Sequence, residues 1–149
     1  MIFVTVGTMD FEALIKTVDH IAPNVNEPFV CQIGNNIHIP QHCEYFRFKD
    51  TLEPFYQEAS LIITHGGAGT LYRTLELGKQ IIGVDNFGST DSHQKDILRK
   101  LSEKKYLIWC DDLKNLEELI QTYPTYPFKP YPTPLCSIAD TIKDFIAAI

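Results

Sequence analysis

Three glycines, a histidine and a threonine stand together in HGGAGT, residues 65–70. They follow the apolar run LIIT (61–64) and lead into a helical pattern over 70–78. A strand that turns through glycines into a helix exposes unpaired N–H groups and the positive end of a helix dipole. Gly66, Gly67 and Gly69, with the small Ala68, let a phosphate reach that backbone. Thr70 can add a hydroxyl donor. His65 can donate a ring N–H to a phosphate oxygen or hold the loop. A tight turn whose glycines serve only packing has the same sequence, so this segment alone leaves both readings open. It is not a P-loop, because GxxxxGKS and GxxxxGKT are absent. GxGxxG is absent too, both here and after the first apolar run. No DxD occurs, so a metal-held nucleotide-sugar site of that kind has no support.

Two further groups have the right chemistry. Glu76 lies six residues after Thr70 in the same helical pattern. A carboxylate there can accept two hydrogen bonds from the hydroxyls of a ribose, or can be a solvated helix glutamate. Ser92-His93-Gln94 opens a later helix. Gln94 carries both a donor and an acceptor, which suits sugar hydroxyls. Ordinary polarity at a helix start is the alternative for His93 and Gln94.

These residues need a frame. Apolar strand-like runs occur at 2–6, 29–33, 44–48, 61–64, 81–84 and 106–110. Helical patterns fall at about 11–21, 51–59, 70–78, 92–102 and 113–121. Asp50 or Thr51 can cap the second, where Pro54 fits the first turn. Near-continuous apolar strands alternating with helices predict an α/β fold, a doubly wound parallel sheet. Ligands bind beyond the carboxyl ends of such strands. Gly7-Thr8, Gly34-Asn35-Asn36, the 65–70 turn and the 85–89 segment all fall there. We expect one domain over 1–149, with a core at 1–122. YPTYPFKPYPTP (123–134) holds five of the nine prolines and is expected to run extended as a connector. A partner-binding proline motif has the same composition. A last helix is expected over 136–149, with Ser137 and Asp140 at capping-box spacing and an apolar stripe of Ile138, Ile142, Phe145, Ile146 and Ile149.

Composition bounds the chemistry. The chain has 149 residues and a net charge of −6. That acidity argues against nucleic acid as a partner. It does not exclude phosphate, which backbone N–H groups bind without Lys or Arg. No apolar run is long enough to span a membrane, and the start at 2–6 lacks a signal peptide's basic flank. We expect a cytosolic protein. Cys31, Cys43, Cys110 and Cys136 form no CxxC, so buried free thiols are expected.

HGGAGTLYRTLELGKQIIGVD followed by SHQ resembles the donor-site segment of GT-B glycosyltransferases. FVTVGT, FEALI, CQIG and THGGAGTLYRTLELGK narrow the resemblance to the short, single-domain subunits of family 28. These include half of the two-chain dolichol-linked N-acetylglucosaminyltransferase and subunits of bacterial exopolysaccharide and capsule synthesis. The resemblance runs from residue 2 to about 110. It implies a UDP-sugar donor, inverting in-line displacement at the anomeric carbon, no metal in the protein and no other cofactor. It places Gly7 and Thr8 near the diphosphate and Phe48 and Lys49 at the uracil ring. His65, Gly66, Gly67, Ala68, Gly69 and Thr70 form the phosphate turn. Glu76 is then the ribose acid, and His93 and Gln94 read the sugar hydroxyls. Asp10 is a candidate general base, although in two-domain members the base usually belongs to the other domain. One Rossmann-like half further implies a membrane-anchored partner subunit and a lipid-linked sugar acceptor, which would hold the chain peripherally at the membrane. Two other readings stay open: a non-catalytic nucleotide-sugar-binding or partner-stabilising module, and a UDP-sugar epimerase.

Overall fold

Six apolar runs form one parallel sheet in the computed structural model, which describes residues 1–86, 92–133 and 146–147. The strands are β1 (Ile2–Thr5), β2 (Phe29–Gln32), β3 (Glu44–Phe46), β4 (Leu61–His65), β5 (Ile81–Val84) and β6 (Ile108–Cys110). Their order is β3-β2-β1-β4-β5-β6. The chain winds outward twice from the centre, so the doubly wound α/β reading holds. The order reverses between β1 and β4, which pair from Ile2↔Leu61 to Thr5↔Thr64. That reversal opens a crevice at the carboxyl ends of these two strands.

Alternation along each strand feeds two cores. Ile2 and Val4 of β1 face one side, packed with Leu14, Ile15 and Val18 of α1 (Glu12–Ile21) and Leu116 and Ile120 of α5 (Leu116–Thr122). Phe3 faces the other side, with Tyr56 of α2 (Glu53–Glu58) and Ile62. Leu71 and Leu75 of α3 (Ala68–Glu76) meet Leu98 and Leu101 of α4 (Ser92–Glu103) beside them. α4 sits so close to β5 that a Cβ on Gly83 would lie 2.2 Å from Leu98 Cδ2.

Asp19 is a buried charge with a structural task. Its carboxylate accepts from the backbone N–H groups of Gln41 (2.9 Å) and His42 (2.8 Å) and meets His38 Nε2 at 2.9 Å. Burial opposes the charge, but these donors outweigh it and hold the carboxyl below its usual range. The loop after β2 is thereby pinned to α1.

Several boundaries move. The strand expected at 106–110 starts at Ile108, and the one expected at 44–48 stops at Phe46. The helix expected over 113–121 opens with a 3-10 turn, Leu113–Asn115, where the Asp112 side chain accepts from the Lys114 N–H. Neither Asp50 nor Thr51 is the N-cap of α2; that is Leu52, while Thr51 Oγ1 accepts from the Glu53 N–H at 3.2 Å. The proline-rich stretch does not run extended from its start. Tyr123–Thr125 form a 3-10 turn, and the Tyr123 hydroxyl donates to Glu27 at 2.9 Å. Cys31, Cys43 and Cys110 are free thiols, with Cys43 only half-buried. Burial pushes the Cys110 thiol up to about 11. Cys136, the Ser137 and Asp140 pair and all of the last helix's stripe except Ile146 lie outside the described residues.

Candidate functional site

The site is built where the sheet order reverses. After β1, Gly7 turns with φ +60°. Its N–H donates to Thr5 Oγ1 (3.2 Å) and Gln32 Oε1 (3.1 Å), and its carbonyl accepts from Gln32 Nε2 (2.8 Å). A side-chain amide from β2 thus fixes the first loop from both sides. Gly34, with φ +55°, lies beside it; a Cβ there would be 3.4 Å from the Gly7 carbonyl and 3.8 Å from Phe48. Both turns require the left-handed region that glycine enters without strain. Arg47 closes this side by donating to the carbonyls of Gly34 (2.9 Å) and Asn36 (3.1 Å).

After β4, the 65–70 segment enters α3 two residues earlier than the sequence pattern suggests. Gly67 is the N-cap, and among the described residues no side chain caps the helix. Ala68, Gly69 and Thr70 therefore form the first turn, where helix N–H groups lack intrahelical partners. At Gly69, no described residue lies within 4 Å of a Cβ built on it. Gly66 and Gly67 differ. A Cβ on Gly66 would meet the Gln94 carbonyl oxygen at 2.9 Å, and one on Gly67 would meet His65 Nε2 at 2.5 Å. Gly66 and Gly67 permit close packing, and at Gly69 no described residue covers the helix mouth.

His65 is buried against this turn. A Cβ on Gly7 would come within 3.1 Å of its Cε1. Burial pushes the imidazole below its ordinary pKa, so it is neutral at pH 7. The unfolded chain then takes a proton near pH 6.5 that the folded chain refuses. This contribution is complete above pH 6.5 and is lost as pH falls toward the folded value, with a slope of at most about 1.4 kcal/mol per pH unit. Urea unfolding at pH 7.5, 6.5 and 5.5 measures it. A His65→Gln chain with the same slope would remove His65 as the source.

Gln94 joins the cluster from α4. Its Nε2 donates to Met9 Sδ at 3.4 Å, so the β1 loop and the start of α4 touch. Three buried polar atoms here, Thr64 Oγ1, His65 Nδ1 and Gln94 Oε1, have no hydrogen-bond partner among the described residues. Such atoms mark a place where a polar ligand can complete the bonding. Thr8, Asp10 and His93 are exposed around the same crevice. Residues 87–91 lie outside the described residues.

Phe48 and Lys49 begin the other wall. Phe48 is 53% exposed, which leaves a ring face for another flat group. With Asp50, Thr51, Pro54 and Phe55 they line an open groove of about 610 Å³. Lys49 Nζ stands 5.1 Å from the Phe46 ring centroid and 5.6 Å from that of Phe55.

Glu76 does not join the others. It is the last residue of α3, eight positions past Ala68, or about 12 Å along the axis. Its nearest charged partner is Arg73, at 3.9 Å. Arg73 itself is engaged with Glu53 at the start of α2. Sequence reading missed this pair; the residues stand 20 apart on different helices, and no local pattern joins them.

The comparisons agree with this architecture. The model of the "Glycosyltransferase family 28 C-terminal domain" matches residues 1–149. The human protein "UDP-N-acetylglucosamine transferase subunit ALG13" is 32% identical over 124 residues, which cover 73% of this chain and 11% of that protein. This chain therefore spans about a tenth of that relative's length. The solution structure of ALG13 covers 89% of each chain with a TM-score of 0.63 at 20% identity. The crystal structure of Acinetobacter baumannii MurG covers 99% of this chain and 49% of its own, with a TM-score of 0.68 at 18% identity. At those identities the two structures speak for the fold. The family model, matched from end to end over a sheet that reverses beside the mouth of α3, shows that the chain belongs to the glycosyltransferase family 28 C-terminal domain family.

Proposed function

We propose that this chain is the donor-binding, catalytic subunit of an inverting UDP-sugar glycosyltransferase. The observation that carries the reading is the mouth of α3, which no side chain caps among the described residues, set against the Gly7 loop where the sheet reverses. In this reading the diphosphate sits on the N–H groups of Ala68, Gly69 and Thr70, and the uracil lies in the groove at Phe48 and Lys49. Gln94, whose Oε1 has no partner among the described residues, faces the sugar. Transfer displaces UDP in line at the anomeric carbon, and negative charge grows on the leaving phosphates. Fixed N–H donors and the α3 dipole stabilise that charge as it develops. The acceptor hydroxyl loses its proton to a base supplied by a second subunit or by Asp10.

The subunit name borne by the human relative supports both a UDP-sugar donor and a partner chain. We place a lipid-linked sugar as acceptor and a membrane-anchored protein as partner, with this chain held at the cytosolic membrane face. Among the described residues no helix is long and apolar enough to cross a membrane. We assign anchoring to the partner.

Calorimetry with UDP, followed by transfer assays with the partner and UDP-N-acetylglucosamine as first donor, tests the reading. UDP is expected to bind the isolated chain, and transfer is expected only with the partner. Absence of uridine-nucleotide binding in both settings would overturn the proposal. UDP binding without turnover in the pair would leave a non-catalytic binding module.

A further inference from the structure

We propose that Glu53, positioned by Arg73, is the carboxylate that receives the ribose hydroxyls of the uridine nucleotide. The inference rests on the donor reading above and replaces Glu76 in that role. A ribose joins its base to its diphosphate. Its acid must therefore stand between the groove at 48–55 and the turn at 65–70. Glu76 stands outside that span. It ends α3, and five residues later the chain enters β5 at its amino end, the opposite end of the sheet from the crevice.

Glu53 stands within the span. It opens α2 immediately before Pro54 and Phe55, which line the groove. Its Oε2 accepts from Arg73 Nε at 3.1 Å, and its Oε1 accepts from Arg73 Nη2. Arg73 is three residues past Thr70 and so lies on the same helix face. Thr70 neighbours the Tyr56 hydroxyl of α2. The paired Glu53 and Arg73 tie α2 to α3 in the strip that a ribose must cross.

The carboxylate is suited to hydroxyl donors. The Arg73 guanidinium holds it below the usual carboxyl range, so it is an acceptor only at neutral pH. The Arg73 fork and the long Gln57 contact at 3.5 Å do not exhaust its lone pairs. Glu53 and Arg73 side chains are 31% and 47% exposed, so the pair is open to an arriving ligand. Bidentate pairing fixes the carboxylate plane before the ligand arrives, which lowers the ordering cost of binding.

The test compares UDP with 2′,3′-dideoxy-UDP by calorimetry on the wild-type chain, Glu53→Gln and Glu76→Gln, with thermal melts to check folding. Glu53→Gln is expected to weaken UDP about tenfold and the dideoxy nucleotide by less than about twofold. Glu76→Gln is expected to leave both unchanged. Equal losses for the two nucleotides in Glu53→Gln would overturn the assignment. So would tighter UDP binding, which would mean that a freed Arg73 meets the diphosphate. A wild-type chain that ignores UDP would instead sink the donor reading itself.

Discussion

Phe3→Ala is expected to lower the unfolding free energy by about 4 kcal/mol. Phe3 occupies the middle of β1, in register with Val30 of β2 and Ile62 of β4, and is fully buried. Its ring lies 5.2 Å from Phe55, 5.8 Å from Tyr56 and 6.3 Å from Phe46. Removing it takes away the apolar area and leaves a cavity that these large rings cannot fill by rotamer changes alone. Against a typical stability of about 5–15 kcal/mol, that loss is a large share. The damage reaches the groove. Phe55 lines it, and Lys49 rests over Phe46 and Phe55. UDP affinity is expected to fall severalfold even where the variant stays folded. Phe3→Leu keeps most of the volume and is expected to cost under about 1.5 kcal/mol. Urea titration with an unchanged m-value measures both. A loss below about 1 kcal/mol for the alanine variant would show that the site collapses freely and that the groove does not depend on this ring.

The frame was legible because burial on both faces forces apolar runs. LIIT and IIGV can hardly be anything but central strands, and they are β4 and β5. Ligand-edge loops were legible for the same reason, since any loop after a parallel strand lies there. Less legible was where α3 begins. Glycine disfavours helix, so the pattern starts at Thr70, yet Gly69 falls inside the first turn. Glu76 marks the limit of spacing arguments. Sequence places it on the right helix but does not convert eight residues into the distance that separates it from the helix mouth. Glu53 looks locally like a helix-start acid, and Arg73 like a solvated cation. Only the packing of α2 against α3 makes them a pair. The same holds for Gly66 and Gly67, whose partners, Gln94 and His65, are fixed by tertiary contact.

Gly67→Ala and Gly69→Ala are expected to act in opposite ways on stability while both impair the donor site. At Gly67 the backbone, with φ −66° and ψ 118°, accepts any residue. The obstacle is a Cβ 2.5 Å from His65 Nε2. The ring cannot swing away freely, because Gly7 closes the other side and the residue is only 6% exposed. The N-cap must move instead and carry the N–H groups of 68–70 with it. Misplacing such donors is expected to cost transfer about a hundredfold, or roughly 3 kcal/mol of transition-state stabilisation. Overpacking adds about 1–3 kcal/mol of lost stability. Among the described residues nothing lies within 4 Å of a Cβ at Gly69. Alanine there is expected to stabilise the chain by about 0.5–1 kcal/mol, through better helix propensity and a less flexible unfolded state. UDP affinity should nonetheless drop about tenfold, because the new methyl group occupies the approach to the helix mouth. Packing alone predicts no such split between stability and binding. A Gly69→Ala chain that melts higher and binds UDP as tightly as wild type would move the diphosphate away from α3.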